Sequence, residues 1–304
     1  MLTTRRYIVG GQYFSLRAEE ELLNQLPNFR PFESQDTVDS HDETVRSDMF
    51  IISAHQGAMP ATAAYAHVYT DQSDADMPRI EIYRDGADML FCLSQMREGA
   101  IVCAIRCSDG LSKAEMIYTE GYFRFAIDNA TMLLYAFCGA ERNMLLMHAS
   151  VIVKDGFGHL FLGRSGTGKS THSSLWQHTY PDAELLNDDN PVIRVAPGEK
   201  PEVYGSPWSG KTNCYKQQKA PIRAIVQLAQ APYNSIVRLR PTHAYPYIMA
   251  SASGLKIEPE KMDRLYDNMA LLIEQQPIYK LDCLPNQEAA RLCYETVSGL
   301  RNEQ

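Results

Sequence analysis

The stretch Phe161-Leu-Gly-Arg-Ser-Gly-Thr-Gly-Lys-Ser-Thr171 decides how the rest of this chain is read. Within it, Gly163-x-x-x-x-Gly168-Lys169-Ser170 completes a Walker A pattern. Glycines at this spacing let successive backbone N–H groups turn inward and cradle phosphate oxygens. Gly163, Arg164, Ser165, Gly166, Thr167, Gly168, Lys169, Ser170 and Thr171 are therefore the candidate nucleotide-binding residues. Lys169 has the reach for β- and γ-phosphates, and the Ser170 hydroxyl suits Mg²⁺. The flanks agree. Gly158-His-Leu-Phe-Leu-Gly163 reads as a short apolar strand, and Lys169–Gln177 reads as a helix. The positive end of that helix would face the bound phosphates. ATP and Mg²⁺ are the cofactors this setting implies.

Toward the N-terminus, Met144-Leu-Leu-Met-His-Ala-Ser-Val-Ile-Val153 reads as one strand that ends at the turn Asp155-Gly-Phe-Gly158. If it forms an antiparallel hairpin with His159–Gly163, a two-residue turn at Asp155-Gly156 pairs position 148 with about 163. A four-residue turn moves the partner to about 165. Both registers set His148 beside the phosphate loop, to contact phosphate or to tune a neighbouring acid. Toward the C-terminus, Ala183–Asn190 reads as a strand closing on Asp188-Asp189. One carboxylate in such a position can hold Mg²⁺ together with Ser170, and Asp188 is that candidate. The other can accept a hydroxyl proton, and Asp189 is taken as that base. His148, Asp188 and Asp189 are the candidate catalytic residues, with an Asx turn into Pro191 as the plainer alternative for the acid pair. A second glycine-rich stretch, Val203-Tyr-Gly-Ser-Pro-Trp-Ser-Gly-Lys211, lies in a basic run with Lys200, Lys216, Lys219 and Arg223. It suits either a phosphorylated ligand or a solvated loop.

Composition sets limits. A chain of 304 residues with 45% apolar and 22% charged residues matches an ordinary globular protein of two domains or one large one. Its apolar runs are too short to span a membrane, and Arg5-Arg6 is followed by no hydrophobic signal region. A cytoplasmic protein with no membrane partner is expected. Seven scattered cysteines fit reduced thiols, and the close pair Cys103 and Cys107 would share one face of a strand as packing residues. Residues 1–120 hold 10 Lys and Arg against 19 Asp and Glu, while residues 121–304 hold 19 against 18. The acidic first part argues against nucleic acid as a partner. It also suggests two parts, 1–120 as a β-rich region of unknown role and 121–304 as the phosphate-loop domain.

In the first part, strands are expected over Tyr7–Ser15, Met49–Ala54, Ala64–Thr70, Ile80–Arg84, Met89–Leu93, Ile101–Cys107 and Ala114–Tyr118. One short helix is expected at Ala18–Gln25, and an exposed polar loop over Glu33–Ser47. His41, His55 and His67 are too far apart to suggest a metal site. From Tyr122 the spacing turns helical, with Gly139 as a C-cap. After the phosphate loop, strands and helices alternate as in an α/β domain.

The order Met147-His148-Ala-Ser, turn, Gly163–Ser170, then Leu186-Asn-Asp188-Asp189 resembles the C-terminal domain of the HPr kinase/phosphorylase family. Tyr204–Lys211 looks like related, less characterised proteins, and the resemblance covers approximately residues 140–245. It implies an α/β phosphate-loop fold shared with phosphoenolpyruvate carboxykinases, with an antiparallel element next to the loop. It also implies transfer of the ATP γ-phosphoryl group to a hydroxyl, with His148, Asp188 and Asp189 in the catalytic neighbourhood. The chain departs from that family at Thr171, where the family has an acidic residue, and it has no counterpart of the family's later glycine-rich signature. The expected acceptor is therefore a small hydroxyl compound rather than HPr, and the basic run from Lys200 to Arg223 would suit an anionic one. A protein serine as acceptor, or a regulatory nucleotide-binding module with little turnover, are the alternatives. The sequence leaves room for a homo-oligomer.

Overall fold

The computed structural model describes residues 1–35, 47–71, 78–96 and 98–300. His41 and most of the polar loop expected at Glu33–Ser47 lie outside them. The chain is mixed α/β, with two mixed sheets, and forms two compact units that divide between Cys138 and Gly139.

The first unit holds β1 (Leu2–Val9), β2 (Gln12–Glu19), α1 (Glu20–Leu23), β3 (Ile51–Gln56), β4 (Ala66–Thr70), β5 (Arg79–Asp85), β6 (Asp88–Ser94), β7 (Ile101–Ser108), β8 (Lys113–Tyr118) and α2 (Phe123–Gly139). Its eight strands run in the order β1-β2-β3-β8-β7-β6-β5-β4. The strand expected over Tyr7–Ser15 is a hairpin. Gly10 and Gly11 take φ of 57° and 77°, the double positive φ of a two-residue turn that Gly-Gly favours. The helix expected at Ala18–Gln25 shrinks to α1, because Ala18 and Glu19 still pair with Thr3 and Leu2 of β1. Cys103 and Cys107 are buried free thiols, as packing residues should be.

The expected boundary at residue 120 is corrected by α2, which belongs to the first unit. Tyr135 donates its hydroxyl to the Val9 carbonyl at 2.8 Å, and the Phe137 ring lies 5.5 Å from Phe91. A helix with its apolar side on that sheet buries too much surface to belong elsewhere. Gly139 keeps helical φ/ψ, and the left-handed residue that ends the segment is Asn143, at φ 60°.

The second unit holds β9 (Met144–Met147), β10 (Ala149–Lys154), β11 (Phe157–Leu162), α3 (Lys169–Thr179), β12 (Glu184–Asp189), β13 (Val192–Arg194), β14 (Glu202–Tyr204), β15 (Lys219–Gln230), β16 (Ser235–Arg238), α4 (Pro241–Ser251), β17 (Ala252–Ser253), α5 (Pro259–Gln275), β18 (Ile278–Cys283) and α6 (Gln287–Val297). The long β15 serves two half-sheets. Its start pairs with β14, leading on through β13 and β9 to β17, and its later part lies parallel to both β11 and β18. Outside β11, the antiparallel β10 and β12 complete the edge that carries the site. On one face Trp176 of α3 and Cys293 of α6 pack with Phe161 and Val226. On the other, Met269 and Leu272 of α5 and Ile248 of α4 pack with Leu160 and Ile225. Among the described residues, no helix is long and apolar enough to cross a membrane.

Candidate functional site

The run Met144–Val153 is two strands, not one. Met147 pairs with Ala252 of β17, whereas Ala149 begins a ladder with β11 and β12. His148 sits at the break, its N–H donating to Ser251 O at 2.7 Å. The β10–β11 hairpin has the two-residue turn, with Asp155 and Gly156 at φ 52° and 77°. Ala149 then pairs with Leu162, so the same register carries His148 to the level of Gly163.

Ala149 has a second partner on its other side, Asp189. One alanine thus aligns the start of the Gly163–Gly168 loop with the end of β12, each one strand spacing away. The next rung pairs Ser150 with Asp188, and Ser150 Oγ lies 2.7 Å from Ser173 Oγ of α3. Residues directly opposite on paired strands share a face, so Asp188 belongs to the face that carries α3. Ala149 packs in the core of the other face, and Asp189 leaves β12 on that side.

The loop lies between β11 and α3, the strand–loop–helix order expected from the sequence. Gly163 takes φ 155°, and a Cβ there would come 3.0 Å from the Thr167 side chain. Thr167 donates both its N–H and its hydroxyl to Arg164 O, at 3.1 and 2.7 Å. α3 starts at Lys169, so its unpaired first-turn N–H groups, those of Ser170 and Thr171 included, adjoin the loop. Arg164, Ser165, Gly166, Ser170 and Thr171 are exposed, while Lys169 is buried and donates from Nζ to Gly163 O at 2.8 Å. Burial holds the Lys169 ammonium below its ordinary pKa, and Asp189 and Asp188 pull it partly back. That ammonium lies within charge reach of both carboxylates.

His148 Nε2 lies 3.4 Å from Asp189 Oδ1, each side chain about one third exposed (35% and 36%). Burial, reinforced by Lys169, lowers the imidazole pKa to about 4, so it is neutral at pH 7. Burial raises the Asp189 carboxyl to about 6, with Asp188 adding to the rise and Lys169 opposing it. Asp188 accepts from Thr212 Oγ1 at 2.6 Å through Oδ2, while its Oδ1 is buried with no hydrogen-bond partner. A buried, unpaired carboxylate oxygen fits a hard cation. Among the described residues no group of three or more His, Cys, Asp or Glu could hold a metal, so a cation here would need phosphate or water oxygens as well.

Two features lay beyond sequence reading. The first is a cleft of about 570 Å³ on the outer side of the loop. Gly166, Thr171, Leu175, Leu228, Leu284 and Pro285 line it, and Gln230 Nε2 donates to Gly166 O at 3.2 Å. It has the mixed lining and size of a small-molecule site. The second concerns the second glycine-rich stretch, which braces the acid pair. Ser206 Oγ donates to Asn190 O at 2.6 Å and accepts from Asn187 Nδ2 at 3.0 Å. Of the basic run, Lys211 stays beside the acid pair, between Gly210 and Thr212, and the others lie elsewhere. Lys216 and Lys219 pair with Glu184 and Glu202, and Lys200 and Arg223 line a cleft at the opposite end of the strands.

No family model matches the chain, and no curated protein matches it. Among solved structures, the chain is similar to "Structure of the Hpr(Ser) kinase/phosphatase from Coxiella burnetii", with 14% identity and a TM-score of 0.22 over 52% of this chain and 99% of that one.

Proposed function

We propose that the chain is an ATP- and Mg²⁺-dependent phosphotransferase acting on a hydroxyl, with its second unit a phosphate-loop domain of the phosphoenolpyruvate carboxykinase and HPr kinase kind. One observation carries the reading: Ala149 pairs with both Leu162 and Asp189, which sets the start of the glycine loop and the acid pair one strand spacing away on either side. The antiparallel β10–β11 hairpin directly before the loop supports the fold. The phosphates sit on the loop and the α3 N-terminus, and the nucleoside occupies the cleft bounded by Leu175, Leu228 and Leu284. Asp188 Oδ1 and the Ser170 hydroxyl would hold Mg²⁺, which would supply charge neutralisation to the bound phosphates. Asp189 accepts the proton of the acceptor hydroxyl. A carboxyl titrating near 6 is better matched to that task at neutral pH than an ordinary one. His148, neutral, orients Asp189 or the incoming hydroxyl through Nε2. Most of the rate comes from positioning and fixed charge.

Of the basic run, Lys211 is the member that flanks the acid pair and would favour an anionic acceptor there, while Lys216 and Lys219 are paired with Glu184 and Glu202. A screen of Mg·ATP turnover against metabolite pools and candidate proteins, alongside calorimetry of Mg·ATP binding, tests the reading. Stoichiometric Mg²⁺-dependent binding and acceptor-dependent ADP release are expected, and a chain that does not bind Mg·ATP would overturn it. His148→Ala should lower kcat/KM at least tenfold, about 1.4 kcal/mol of transition-state stabilisation. An unchanged value in steady-state assays would remove His148 from the site.

A further inference from the structure

The loop after the second glycine-rich stretch sets a hydroxyl of the chain itself on the acid pair. Thr212 Oγ1 donates to Asp188 Oδ2 at 2.6 Å, inside the range over which a base takes a proton from a hydroxyl. Gly210 of the same loop lies against the neighbouring acid. A Cβ there would come 3.2 Å from Asp189 Cβ and 3.3 Å from Asp188 O. Ser209 Oγ and the Cys214 N–H both donate to Thr212 O at 2.8 Å, which fixes the threonine's place. Cys214 Sγ donates to Leu186 O at 3.4 Å and ties the loop to β12. Gly210, Lys211, Thr212 and Asn213 are nevertheless exposed. Asp188 lies on the α3 face, where Lys169 and Ser170 begin the helix that receives the phosphates.

A hydroxyl bonded to a carboxylate on the helix face that carries Lys169 and Ser170 is arranged as a kinase arranges an acceptor for its γ-phosphate. We propose that Thr212 is a phosphorylation site, modified in cis by Mg·ATP bound to the same chain. The inference rests on the phosphotransferase reading above. Thr212 Oγ1 attacks the γ-phosphorus, forming the new O–P bond as the bond from that phosphorus to the β,γ-bridging oxygen breaks. ADP leaves with the bridging oxygen, and the hydroxyl proton passes to Asp188 Oδ2. The phosphothreonine then carries close to two negative charges beside two carboxylates, which repels the loop from the acid pair. Moving the loop, whose Gly210 lies against Asp189, would thereby clear Asp189 for an external hydroxyl.

The test is incubation of the purified full chain with Mg·ATP and no acceptor, followed by mapping of phosphate by mass spectrometry. Stoichiometric phosphate on Thr212 is expected, at a rate independent of protein concentration. It should be absent from Thr212→Val and Lys169→Ala and retained on the serine of Thr212→Ser. Calorimetry separates the two ways of failing. A chain that binds Mg·ATP yet leaves Thr212 unmodified overturns this inference alone, and so does label that persists unchanged in Thr212→Val. In that case, altered turnover of Thr212→Val would show a hydroxyl that only positions Asp188. A chain that binds no Mg·ATP overturns the phosphotransferase reading and this inference together.

Discussion

Lys169→Ala is expected to reduce phosphoryl transfer by about 10²–10³-fold or more, and to weaken Mg·ATP binding with it. The loop's N–H groups and the helix terminus would still meet the phosphates, but the Lys169 ammonium would be gone. The fold should survive. Lys169 is buried at 9% exposure, and burial already disfavours its charge, so the variant loses one hydrogen bond to Gly163 O along with a desolvated ammonium. Calorimetry would read the affinity, and circular dichroism melting would confirm that the chain is still folded. Undiminished ATP affinity in a folded variant would refute the phosphate-loop assignment.

Asp189→Asn should lower kcat by about 10²–10⁴-fold while leaving ATP affinity nearly unchanged, the loss expected for a general base. The pH dependence gives an independent reading. A base must be ionised, and the Asp189 carboxyl titrates at about 6, so wild-type activity should rise with pH through 6 and fall below it. His148 is neutral above about 4 and contributes no second step to that limb. Removing the carboxylate in Asp189→Asn should erase the step in the residual rate. Asp188→Asn should instead raise the Mg²⁺ concentration needed for half-maximal rate, because Oδ1 is the oxygen left for a cation. Normal turnover in both variants would reduce the pair to a turn.

The parts of this site that could be read in the sequence are those whose geometry is local. Strand, glycine loop and helix follow one another in Gly158–Thr179, and the Asp155-Gly156 turn fixes a register that can be counted on paper. The break at His148 could not be read. Met144–Val153 is a largely apolar run, interrupted only by His148 and Ser150, with no Gly or Pro, and distant partners, Ser251 and Ala252, divert its first half into another half-sheet. The bracing of Asp188 by Thr212 spans 24 residues through a loop with no periodicity to betray it. In the first unit, the Gly10-Gly11 signal lay in plain view, but the apolar run across it read as one strand. The Tyr122–Cys138 helix was readable as an element. Its membership of the first unit was not, because that depends on contacts such as Tyr135 with Val9.

The double partnership of Ala149, with Leu162 on one side and Asp189 on the other, means that this site is specified by counting. Its address is the number of residues from His148 through the tight turn to Gly163, and from there to the end of β12. Nearly any apolar residue could stand at Val151 or Leu160 and leave the address intact. One residue inserted into the Asp155-Gly156 turn would slide the ladder by a step and send His148 to the wrong face. A distant descendant of this chain could therefore lose almost all resemblance in letters and still hold His148, Lys169, Asp188 and Asp189 together, provided that its spacing stayed fixed.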